Sequence, residues 1–190
     1  MQAFVAVILG ALLATVGGFA ATQLGIWLDR SRRARSAALL CGEILAAVGT
    51  LLRLAEDAAR QDTFLDQVPI RLLRAARREL DVYYRNREQL FSLRDADLRA
   101  RLHSFIVRLS IPLDRLADDH ARYAELCSID PKPIQQAEAL RTEMDSTFNY
   151  LIQSRHVIPE LLALLQPLAR TRFDAFSRID RDGNPIDRAS

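Results

Sequence analysis

Residues 3–28 read AFVAVILGALLATVGGFAATQLGIWL, and residues 29–36 read DRSRRARS. The first stretch is 26 residues without a charge, and about 20 apolar residues are enough for a helix to cross a hydrocarbon core about 30 Å thick. A transmembrane helix is predicted over residues 1–28. A cleaved secretory leader is the competing reading, but that needs a positive start and an apolar stretch of about 7–15 residues, and Met1 and Gln2 bring no side-chain charge. Arg30, Arg32, Arg33 and Arg35 follow, against Asp29, as a basic juxtamembrane segment at 29–36. Lys and Arg beside a span are retained on the cytoplasmic side. The N-terminus is therefore expected outside the cell (inner) membrane and the remainder in the cytoplasm, with Trp27 in the interfacial belt that amphipathic aromatics occupy.

Inside this stretch small residues recur every fourth position, at Ala6, Gly10, Ala14, Gly18 and Thr22, with a shorter row at Gly17, Ala21 and Gly25. Rows of this kind let two backbones approach closely, which is how helices associate in lipid. A homo-oligomeric contact is expected there. The competing reading is that Gly and Ala are common in membrane helices whether or not they touch a partner.

Over all 190 residues the chain is 49% hydrophobic and 26% charged, with a net charge of +2. That apolar content excludes a disordered chain, and 7 Gly and 7 Pro exclude a collagenous or low-complexity one. The 50 charged residues all lie at Asp29 or later, so the averages hide two different segments. The weak basic surplus does not suggest a protein devoted to nucleic acid. Cys41 and Cys127 are too few and too distant for a disulfide framework or a zinc site, and are expected to be small buried hydrophobes.

From residue 31 to 170 apolar residues recur at helical spacing, so the fold class is all-α: an N-terminal transmembrane helix continuing into a cytoplasmic antiparallel bundle of four to five helices. The first of these is expected over residues 31–60, fused to the span as one rod because no Pro or turn cluster intervenes. Residues 36–52 carry one charge, Glu43, and read as a core helix, since an acid near the middle of so short a stretch is costly in lipid. Gly42, Ala46 and Gly49 form a small face that would admit a close helix crossing. A second helix from Pro69 to about Phe91 carries the apolar row Ile70, Leu73, Leu80, Tyr84 and Phe91. Beside it Arg71, Arg74, Arg78 and Arg85 form a possible anion-binding face for lipid or nucleic acid, the alternative being a solvated face interleaved with Glu79, Asp81 and Glu88.

A third helix to about Ser128 buries Leu98, Leu102, Phe105, Leu109, Leu113, Leu116, His120 and Tyr123 and is expected to kink near Pro112. The loop at 130–133 reads Asp-Pro-Lys-Pro, and paired prolines enforce extended backbone. A fourth helix follows with Leu140, Met144, Phe148 and Leu151, and a short fifth opens at Pro159. Residues 171–190 read as a polar, flexible tail, docked by Phe173 and Phe176.

No motif carries chemistry. Asp180, Asp182 and Asn184 imitate a calcium loop, but Pro185 stands where the loop needs Gly. None of His103, His120 and His156 follows a Glu at the spacing of a di-iron site, and no phosphate loop, zincin helix or nucleophile elbow occurs. His120, beside Asp118 and Asp119, reads as a core histidine. No catalytic residue, metal or cofactor is expected. The reading is a membrane-anchored interaction, scaffold or sensor protein whose partners are membrane lipid, a second copy and an unidentified protein. The alternatives are an oligomeric membrane-disrupting effector and anionic-ligand binding through the Arg face.

Overall fold

A computed structural model describes residues 2–61, 67–129 and 133–173, with side chains from residue 15 onward apart from residue 67. The described residues are all-helical and contain no strand. The five α-helices are α1 (Gln2–Gln61), α2 (Gln67–Arg85), α3 (Ala96–Ser128), α4 (Ile134–Ser154) and α5 (Ile158–Ala169). Two 3-10 turns, Arg87–Ser92 and Arg155–Val157, lie between α2 and α3 and between α4 and α5.

The expected single rod is present. α1 runs unbroken for 60 residues, about 90 Å at 1.5 Å per residue. It changes character midway. Residues 15–30 are exposed on every face, with Val16, Phe19 and Leu24 at 63%, 67% and 58%. From Ala37 onward the helix is drawn into the core, where Ala38, Leu45, Val48, Leu52 and Ala55 are wholly buried. Residues 36–52 are thus a core segment of the protein, with Glu43 turned outward to solvent. Among the described residues α1 is the one helix long and apolar enough to cross a membrane.

α2 and α5 both pack on α1, α3 packs on α2, and α4 on α3. Contacts between named side chains give the directions. Arg77 meets Asp114 while Tyr83 meets His103, so α2 and α3 run opposite ways. α5 runs back along α1, because Ile158 sits at Gly49 and the Ala169 carbonyl accepts from Arg35 Nε at 3.1 Å.

One boundary differs from expectation. α2 stops at Arg85 instead of reaching Phe91, and the chain tightens into the 3-10 turn. In a 3-10 helix residues three apart eclipse one another, so Leu90 and Leu93 reach the core and Phe91 is left 75% exposed. α3 then starts at an Asp95 cap, whose carboxylate accepts from the amides of Asp97 and Leu98 at 2.9 and 3.0 Å. This is the usual way to satisfy first-turn donors. α3 continues through Pro112 as one helix, with Leu109 and Leu113 buried on either side of it. Its last turns leave the core: His120 and Tyr123 are half-buried, and Cys127 is exposed instead of buried.

α5 ends at Arg170, whose left-handed backbone (φ 54°, ψ 36°) lets its amide close on the Gln166 carbonyl at 2.9 Å. That is the ordinary geometry for ending a helix. The turn sends the chain back toward α1, where Phe173 is buried at 8% exposure. Phe176 and residues 180–185 lie outside the described residues.

Candidate functional site

The small face of α1 decides where the chain leaves a groove. Gly42, Ala46 and Gly49 recur at steps of four and three, so they share one side of the helix. α5 and the segment after it approach on that side. A Cβ on Gly42 would fall 2.0 Å from Cζ of Phe173, and one on Gly49 would fall 3.3 Å from Cδ1 of Ile158. The expected close crossing is therefore made, by α5 and by one aromatic ring from beyond it.

Beside these contact points an open groove of about 520 Å³ lies against Ala46 and Gly49. Phe173, Ile158 and Leu162 give it apolar walls, while Arg53, Arg155 and His156 line it as well. Among the described residues no Asp or Glu lines it. Its volume falls in the range of small-molecule pockets, which are mostly apolar with a few placed polar groups.

Arg155 is positioned from outside the groove. Its Nη2 lies 3.0 Å from Glu56 Oε2, and Glu56 Oε1 also accepts from Arg60 Nη2 at 2.5 Å. Nη1 of Arg155 is buried and has no hydrogen-bond partner. A buried donor without an acceptor costs about 1–3 kcal/mol, so the guanidinium is held in place but not fully satisfied.

A second polar cluster joins α2 to α3. Arg77 pairs with Asp81, one turn on, and with Asp114 of α3 through Nε at 2.6 Å. Its guanidinium carbon stands 5.8 Å from the Tyr84 ring centroid. Both carboxylates hold the Arg77 proton more firmly than usual, the bond to Asp114 most of all. Next to it the Tyr84 hydroxyl pairs with Ser110 Oγ at 3.0 Å, and Ser110 donates to the Ile106 carbonyl at 2.8 Å. Burial pushes the Tyr83 phenol up to about 12 and the Cys41 thiol up to about 11. Both are structural groups inside the core.

No family model, no curated protein and no solved structure matches this chain. Among the described residues no group of three or more His, Cys, Asp or Glu is placed to hold a metal ion.

The arginines singled out from the sequence are spread out. Arg71, Arg74, Arg78 and Arg85 are all exposed on α2, and Arg74 borders a small crevice beside Leu113 and Leu116. In the juxtamembrane segment Arg33 lies 3.6 Å from Asp29, and Arg35 is drawn onto the C-terminal carbonyl of α5, where a cation is favoured. In the small-residue row the side chains of Ala6, Gly10 and Ala14 lie outside those described. Gly18 has open space on its Cβ side, as do Gly17 and Gly25. Thr22 donates to the Gly18 carbonyl at 2.8 Å.

Sequence reading overlooked Arg53 and Arg155. A signal for Arg53 existed, since 42, 46, 49, 53 and 56 continue one face at steps of four and three. Nothing local marks Arg155, which reaches that face only because the 3-10 turn brings it to Glu56.

Proposed function

We propose that this chain is a single-pass membrane protein. Residues 1–28 cross the bilayer with the N-terminus outside, residues 29–36 meet anionic headgroups, and residues 31–170 form a cytoplasmic antiparallel helical bundle. The bundle is a non-enzymatic interaction or sensor module that binds a protein partner or a second copy. What carries this reading is the contrast within α1: residues 15–28 of its charge-free half are exposed, with no covering from the described residues, while its second half is core. A soluble protein rarely leaves so large a contiguous apolar surface in water. The row ending in Gly18 supplies a close-approach face for a second copy.

Fractionation tests the anchor. The full chain is expected to stay in the membrane through an alkaline carbonate wash, and a chain lacking residues 1–28 to be released. Exposed Cys127 reads the orientation: a membrane-impermeant maleimide should label it in inverted vesicles and not in right-side-out ones. Carbonate release of the full chain, or labelling from the outer side, refutes the reading.

A second reading draws on the exposure of all four α2 arginines, which is what binding of anionic lipid through that face requires. It predicts salt-sensitive adsorption to acidic vesicles by the chain lacking residues 1–28. Replacing the four with Glu abolishes it if the reading holds.

A further inference from the structure

The α1–α5 groove is amphipathic along its length. Its apolar end is set by Phe173, seated at Gly42, and its basic end by Arg53 and Arg155, the latter fastened to Glu56. From Gly42 to Arg53 is 11 residues of α1, about 16 Å of helix. The carboxylate that holds Arg155, Glu56, is shared between Arg155 and Arg60. Arg53, Arg155 and His156 thus line the groove without an acid among its described lining residues. Nη1 of Arg155 is screened from solvent without an acceptor.

We propose that this groove binds a small amphipathic anion, with a carboxylate or phosphate head between Arg53 and Arg155 and an apolar body along Ala46, Gly49 and Leu162 toward Phe173. Arginine suits such a head because its planar fork meets two oxygens at once. The small residues matter because they leave room for an apolar body against the helix backbone. Bound there, the ligand touches α1, the 3-10 turn before α5, α5 itself and Phe173, so it ties the C-terminal segment to the long helix. The proposed module is then ligand-sensing.

The head of a bilayer lipid is a poor source for this anion. Ala46 and Arg53 lie 18 and 25 residues past Leu28, about 27 and 38 Å along the helix. That argument rests on the membrane reading above, whereas the groove and its charges do not. The ligand is therefore taken to be a free amphiphile.

The test uses the full chain in phosphatidylcholine nanodiscs, with empty discs subtracted, and titration calorimetry with octanoate and with octyl phosphate. At least one of the two should bind saturably, and octanol and inorganic phosphate should each bind at least tenfold more weakly. Arg53→Gln, which disturbs none of the contacts described above, should weaken the anion tenfold or more and leave octanol unchanged. Leu162→Trp should weaken octanoate and octyl phosphate by filling the groove. No saturable binding of either anion, octanol binding as tightly as they do, or full affinity in both Arg53→Gln and Arg155→Gln overturns the proposal. Discs containing phosphatidylglycerol separate the sources: competition by that lipid overturns the free amphiphile, and its absence supports it. A chain that fractionates as soluble yet binds octanoate refutes the anchor and leaves the groove standing.

Discussion

Replacing Gly42 with alanine puts one methyl group where the Phe173 ring now lies, 2.0 Å from Cζ and 2.2 Å from Cε1. A gap that short cannot persist, so the ring withdraws and its burial is lost. Exposing a buried Phe side chain costs about 1.5–3 kcal/mol, while Gly to Ala inside a helix gains about 0.8–1 kcal/mol. Gly42→Ala should therefore destabilise the chain by roughly 1–2 kcal/mol. In a chain already carrying Phe173→Ala the clash is gone and the propensity gain alone remains, so the same substitution should stabilise by up to about 1 kcal/mol. The sign reverses, and the coupling between the two positions is on the order of 2–3 kcal/mol. Thermal unfolding of the four chains in one mild detergent measures it, at about 2–4 °C per kcal/mol for a protein of this size. Equal effects of Gly42→Ala in both backgrounds would refute the seating of Phe173 on α1.

Arg77→Met keeps most of the apolar stem and deletes both carboxylate pairs, to Asp81 within α2 and to Asp114 of α3; with both carboxylates partly exposed it should lower stability by about 0.5–2 kcal/mol, and Asp114→Asn should cost less because Asp81 remains. Full stability of Arg77→Met would show that the pairs add nothing net. The Cys41 thiol and the Tyr83 phenol are both held above their ordinary values, at about 11 and about 12. The unfolded chain therefore releases these protons first, and stability, complete below about pH 9, falls as pH climbs to about 12, at about 1.4 kcal/mol per pH unit for each group within its window. Tyr83→Phe should flatten this decline above pH 10 in denaturant titrations, and an unchanged slope would exclude Tyr83 as a cause. Maleimide should modify exposed Cys127 at least about a hundredfold faster than Cys41, which is 3% exposed, with Cys41 reacting only as the core opens. Comparable rates would mean that α1 is not held in the core.

Most of the helices are legible because their signals are local. The uncharged run to Leu28 and Pro159 at the start of α5 each act within a few residues. The buried stripe of α3 follows the expected one from Leu98 to Leu116 for the same reason. The misread positions are those where a neighbour overrides the pattern. Phe91 continues the apolar row of α2 on a 3.6-residue period, but the chain tightens after Arg85 and Leu90 takes the core position instead. Cys127 looks buried because it sits among helical apolar residues, yet α3 has by then passed the end of the core.

The candidate site divides in the same way. Spacing alone puts Gly42, Ala46, Gly49 and Arg53 on one face of one helix, and the charge distribution alone separates the first 28 residues from the rest. That Arg155 meets Glu56, that Arg35 closes the end of α5, and that Phe173 fills the space over Gly42 follow from contacts between residues 99 to 134 positions apart in sequence. Periodicity fixes which side of a helix a residue occupies, because it depends only on the rise and turn of the backbone. Which distant segment comes to lie on that side depends on how the buried faces of all five helices are satisfied together, and only the tertiary structure decides it.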